Sequence, residues 1–247
     1  MSPLIRHAGA ATGLIFVTLL VAAYFSAPAM PVAGTPASLL VAYVNANSNG
    51  LETSWFLACG PDLFFGGWFL GVVAATLWEA GAQRHMVAAG SASAVLAGAL
   101  LAGAGVTWGL FVYLAPQLNS DPLVLVLAES RHFAEGAISF PVAAAAAAFS
   151  IATWNSGRGW RLVAALGLLA TALELANGFD DFAADGVTGA LGPLSFVGLM
   201  FWIAALSFAL TVRRGWFVLS AGPQPSRSAS SAWADLSYFV RGHEQPR

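Results

Sequence analysis

A carboxylate inside an apolar run of helical length needs either a partner or a purpose, and Glu174 is such a residue. It stands thirteen positions after Arg161 within the apolar stretch 162–178, so at ~1.5 Å per residue it lies roughly 20 Å along a helix able to cross a bilayer. Asn177 and Asp181 follow at i+3 and i+7 on the same helical face, and the three make a polar stripe suited to handling a proton or a small solute.

A second group gathers at Glu129, Arg131, His132 and Glu135. Glu129 and His132 have Glu-x-x-His spacing, which puts carboxylate and imidazole on one face, a workable ligand pair for a transition metal. Glu129, His132 and Glu135 are therefore candidate metal ligands, with Glu174, Asp180, Asp181 and Asp62 as the acids able to complete a site. Against that stands a plainer arrangement, in which Arg131 and Glu135 pair at i,i+4 and His132 marks the membrane interface. Asp62 follows Pro61 and suits the first turn of a helix whose dipole favours negative charge, with pairing to Arg131 as the functional alternative. The single Cys59 has no second thiol for a disulfide, zinc or redox pair, and is expected as a small buried side chain near a helix start. No cofactor motif is present, so the cofactor is unknown.

The elements that must hold these residues are membrane helices. Of the 247 residues, 58% are hydrophobic and only 9% charged, and the mean hydropathy is +0.72, far outside the soluble range. An all-α, polytopic bundle follows, with six spans at about 8–27, 54–78, 87–113, 132–154, 162–178 and 191–212. Arg6, Arg84, Arg158, Arg161, Arg213 and Arg214 fall on one side of this arrangement and Arg131 alone on the other. The positive-inside rule then places both termini in the cytoplasm and the acids Glu52, Asp121, Glu129, Asp180, Asp181 and Asp185 outside. The first span also reads as a signal peptide, but its apolar run is longer than such h-regions usually are, which favours an uncleaved helix. A net charge of −2 without any Lys/Arg cluster excludes nucleic acid as a partner.

Between the first two spans, Thr35 as N-cap, Pro36, and Leu39, Leu40, Tyr43 and Val44 on one face predict a short surface helix, ended by Asn45, Asn47, Asn49 and Gly50. Residues 216–247 form a tail, with a Pro/Ser-rich linker and an amphipathic stretch at 231–241 that reads either as an interfacial helix or as a disordered end. The G-x-x-x-G spacings Gly9/Gly13, Gly67/Gly71 and Gly105/Gly109 suit close helix packing. Trp55, Trp68, Trp78, Trp108, Trp154, Trp160, Trp202 and Trp216 mostly fall near span ends, as in an aromatic belt.

The pattern Val41-Ala42-Tyr43-x-x-Ala46-Asn47 ending at Gly50, together with a polar helix start leading to Phe140-Pro141-Val142, resembles uncharacterised six-helix integral membrane proteins common in actinobacterial genomes. The resemblance covers about residues 8–212 and implies a bacterial cytoplasmic-membrane location, with no reaction attached. Three functions compete. The leading expectation is a scaffold or accessory membrane protein, whose partners are the lipid bilayer and either a second copy or another membrane protein. The others are a small-solute or proton-coupled carrier using Glu174, and a membrane-embedded enzyme with a metal or acid/base site at the outer surface. Whether Glu174 meets lipid, an apolar interface or the Glu129–Glu135 group separates them.

Overall fold

The computed structural model describes residues 3–32, 34–118, 120–182 and 191–212, with side chains from His7 onward. Every element among them is helical: α1 (Pro3–Ser26), α2 (Ala37–Cys59), α3 (Pro61–Glu79), α4 (Arg84–Leu114), a 3₁₀ turn (Ala115–Gln117), α5 (Asp121–Trp154), α6 (Arg158–Phe182) and α7 (Leu191–Thr211). Six segments are long and apolar enough to cross a membrane, α2 and α3 counting together as one. The linker and the 231–241 stretch, like Trp216, lie outside the described residues.

The region before the second span departs from the sequence expectation. The helix that begins at Ala37 does not stop at the Asn-rich stretch but runs on to Cys59, with a kink at Asn47 (φ −125°, ψ 15°). The Asn47 amide donates to the Tyr43 carbonyl at 2.8 Å, and Thr53 donates to the Asn49 carbonyl at 2.8 Å. Side chains that end a helix in water here hydrogen-bond to the backbone of the continuing helix. Pro36, not Thr35, occupies the N-cap, and the Thr35 hydroxyl turns back to the Val32 carbonyl. The real break comes at Gly60, because Pro61 has no N–H to offer the preceding turn. Cys59 is accordingly the last residue of α2 rather than a residue near a helix start, and it is half-buried.

The α3–α4 turn is a Schellman ending. Gly81 takes φ +74°, Ala82 N–H donates to the Leu77 carbonyl and Gly81 N–H to that of Trp78, and the left-handed position explains the glycine.

Helix contacts close a ring in the order α1, α3, α4, α5, α6, α7 and back to α1, while α2 lies across α1, α3, α4 and α5. α5 is the most enclosed member, with 61% of its most apolar window buried against 22–44% for the others. One apolar cluster joins the ring helices, with Phe69, Leu77, Phe149, Trp160, Trp202 and Leu206 among its members. Trp160 and Trp202 are therefore core residues, not belt residues. A second cluster joins α2 to the end of α4 and the start of α5 through Leu40, Val44, Leu51, Phe111 and Val124. At ~1.5 Å per residue α5 is about 51 Å long, more than a hydrocarbon core of ~30 Å requires, and its first turns carry the second cluster.

Two of the G-x-x-x-G pairs are used inside the fold. Gly9 and Gly13 lie against Val72, Phe69 and Ser207, and Gly105 and Gly109 lie against Cys59 and Trp55, whose indole donates to the Gly105 carbonyl at 2.7 Å. Gly67 and Gly71 have nothing near them.

These contacts give an expected outcome. Gly13→Ala drives a methyl into Phe69 and Ser207 and should destabilise the detergent-solubilised protein by about 1–3 kcal/mol. Gly98→Ala and Gly103→Ala, which add a methyl in open space, should leave the circular-dichroism melting temperature unchanged or slightly raised.

Candidate polar site between helices five and six

The α5–α6 interface is set by glycines at two levels. A Cβ on Gly136 of α5 would lie 2.9 Å from the Asp181 Cβ, and one on Gly178 of α6 would lie 3.2 Å from the Ser139 Cβ and 3.3 Å from the Gly136 carbonyl. The two backbones can come this close only because neither position carries a side chain. Further along, Thr171 donates to the Gly167 carbonyl of its own helix at 2.8 Å and reaches the Ala143 carbonyl of α5 at 3.3 Å.

This approach brings two polar faces together. On α5, His132, Glu135 and Ser139 recur at helical spacing, and on α6 so do Glu174, Asn177 and Asp181. Glu174 is buried, 6% exposed, and lies beside the hydroxyl of Ser139, itself 5% exposed, which donates to the Glu135 carbonyl of its own helix at 3.5 Å. The Asn177 amide donates to the Ser139 oxygen at 3.3 Å and to the Asp181 carboxylate at 3.1 Å. Asp181, exposed at the rim, has Glu135, Asp180 and His132 as its charged neighbours. A continuous line of polar groups thus runs from an acidic rim to an enclosed carboxyl. Phe140 packs edge-on against Phe179 at 5.2 Å and over Phe182 at 6.0 Å, so aromatic rings flank the seam.

The remaining residues of the predicted group do a different job. The Arg131 guanidinium lies 3.3 Å from the centroid of the Trp108 ring, bonds Glu135 at 2.7 Å and contacts the Met30 sulfur. Glu129 accepts the Gly34 N–H at 2.9 Å, and Tyr43 donates to the Pro28 carbonyl at 2.7 Å. Pro28, Met30 and Gly34 are thereby strapped onto the starts of α2 and α5.

The metal set Glu129, His132 and Glu135 is not assembled. Glu129 turns to Gly34 and Glu135 to Arg131, and among the described residues no three His, Cys, Asp or Glu side chains stand together as ligands. Glu-x-x-His spacing supplies two adjacent donors, but a metal needs more from a facing helix, and Asp181 is the α6 acid placed beside His132. Nor does Arg131 pair with Asp62, whose two carboxyl oxygens are buried without a hydrogen-bond partner among the described residues. Ser139 is the functional residue that sequence reasoning missed. The available signal was its position at i+4 from Glu135 and i+7 from His132, in line with the acids.

Comparison of the chain with protein-family models, curated proteins and solved structures finds no match.

The strap can be checked at one amide. Glu129→Ala removes a charge-assisted hydrogen bond worth about 1.5 kcal/mol, so hydrogen exchange at Gly34 should accelerate roughly tenfold while exchange in α7 stays unchanged.

Proposed function

We propose that this protein is a multi-pass carrier of a bacterial cytoplasmic membrane, coupled to protons or moving a small solute with them, in which Glu174 is the group that takes up and releases the proton. Both termini lie in the cytoplasm and the acidic rim of Asp180, Asp181 and Glu135 faces outside, where its field concentrates cations. The observation that carries this reading is the enclosure of Glu174 against Ser139, at the end of a polar line that opens at that rim. A carboxyl in such a place is costly to retain, and a purely structural bundle gains nothing from it that a leucine would not supply. Ser139 and Asn177 position the carboxyl, and Gly136 and Gly178 let the two helices close over it. An enzyme built on a metal would need Glu129, His132 and Glu135 together, and Glu129 turns to Gly34 while Glu135 turns to Arg131.

A scaffold or accessory role is the second reading, favoured by one feature. Gly67 and Gly71 face open space along α3, in a shallow groove of about 550 Å³ lined also by Phe64, Trp68 and Ala75. Small residues presented to lipid suit close approach of another helix, and a second copy at this face would also enlarge a six-span carrier.

The two readings separate on Glu174→Gln. In proteoliposomes carrying an internal pH dye, the native chain should dissipate an imposed pH gradient and the variant should do so at least tenfold more slowly, with an unchanged gel-filtration profile. Equal rates for the two proteins would remove the carrier reading and leave the scaffold.

A further inference from the structure

The break between α2 and α3 holds a second acid that the α5–α6 seam does not use. Asp62 is 0% exposed, and neither of its carboxyl oxygens has a hydrogen-bond partner among the described residues. It sits in the first turn of α3, two residues after the break at Gly60. There the positive end of the α3 dipole meets the negative end of the α2 dipole, so the two largely offset each other and the backbone supplies little net positive potential.

The neighbouring helices supply no positive charge either. α3 packs on α1, α2 and α4. Along α1, Gly9 lies on Val72 and Gly66 on Phe16, so in this antiparallel pair the α1 residues level with Asp62 are the apolar ones around Leu20. The titratable side chains described on α1 are His7, about 20 Å further along the helix from that level at ~1.5 Å per residue, and Tyr24. On α4, Cys59 rests against Gly105, and the stretch 95–106 has only apolar residues and glycine. Arg84 and His85 stand at the other end of α3, beside Glu79, and Tyr113 lies beyond Gly105. On α2 the titratable groups are Tyr43, Glu52 and Cys59, none of them a cation, and Cys59 is the one near enough to Asp62 to interact electrostatically.

An ionised carboxylate cannot persist in such surroundings without a counter-charge. We infer that Asp62 is a proton-binding site, a carboxyl that holds its proton at neutral pH at the α2–α3 break. A metal cation is the other source of positive charge, but it needs several oxygen ligands, and the polar side chain the structure sets beside this acid is a thiol. Pro61 also deprives the Leu57 carbonyl of its i+4 amide donor, which leaves on the last turn of α2 an acceptor of the kind a carboxyl O–H requires.

Infrared spectroscopy of the full-length chain in detergent at neutral pH tests this directly. The native protein should show the C=O stretch of a protonated carboxylic acid, and Asp62→Asn should remove a component of that band that survives in Glu174→Gln. Because a neutral acid is being replaced by a neutral amide of the same shape, Asp62→Asn should also melt within about 3 °C of the native chain. An unchanged carboxyl band in Asp62→Asn would overturn the inference, as would a melting temperature that rises with sodium in the native chain alone. A variant that does not fold would count against it too, since loss of a neutral carboxyl does not remove a needed charge. The Glu174 variant keeps this test separate from the carrier reading.

Discussion

In hydrocarbon no water is on hand for a polar group, so every N–H, carbonyl and carboxyl must be answered from within the protein or from what the protein binds. Most features of this fold follow from that condition. Backbone groups are answered mostly within the helices, with the ladder interrupted at Pro61. Where a helix is disturbed, a side chain compensates locally, as when Asn47 takes the Tyr43 carbonyl at the α2 kink. Most hydroxyls on the spans return to carbonyls three or four residues back, as Thr18, Ser91, Thr153 and Ser207 do, while those of Thr76 and Ser150 are buried without a partner among the described residues. Against this thrift, the two enclosed acids stand out. Glu174 lies beside Ser139 of another helix, whereas Asp62 has no hydrogen-bond partner among the described residues.

The cross-helix answer depends on small residues more than on the polar ones. α5 carries the run Ala143–Ala148 and Gly136, and α6 carries Gly167, Ala170 and Gly178, which lets both helices approach within backbone contact and leaves α5 the most enclosed member of the ring. Close packing of this kind is also the main source of helix association in lipid, where burying apolar surface gives no advantage. The same geometry therefore stabilises the bundle and holds Ser139 against Glu174. At the far end of α5 the task passes to Arg131, whose guanidinium stacks on Trp108 while bonding Glu135. That arrangement anchors the segment at Met30 without a large apolar core.

Apolar runs bounded by charge and glycine revealed the six crossing segments, because hydropathy over such lengths is a collective signal that single residues rarely upset. Glu174, Asn177 and Asp181 were legible as a stripe for the same reason, helical periodicity. Their partner was not. Ser139 bonds its own backbone at the Glu135 carbonyl, as serines in spans usually do, and only the close approach of Gly136 and Gly178 brings it beside α6. The Asn-rich stretch misled because the same amides that stop a helix in water can continue one under a bilayer's demand for satisfied carbonyls. The Gly60–Pro61 step stood in plain view, yet hydropathy reads across it as one span. Trp160 lies close to a span end and Trp202 in the middle of one, and both are buried in the core, a placement that residue type does not encode.

The account rests on Ser139 and Glu174 forming one interaction across the α5–α6 seam. A double-mutant cycle with Ser139→Ala, Glu174→Ala and their combination, read as unfolding free energy in detergent, measures it without any assumption about function. The pair should be coupled by about 1 kcal/mol or more, because each single change strands the other partner in an apolar interface. Losses that add to within about 0.3 kcal/mol would mean that the two side chains do not meet, and the site described here would not exist.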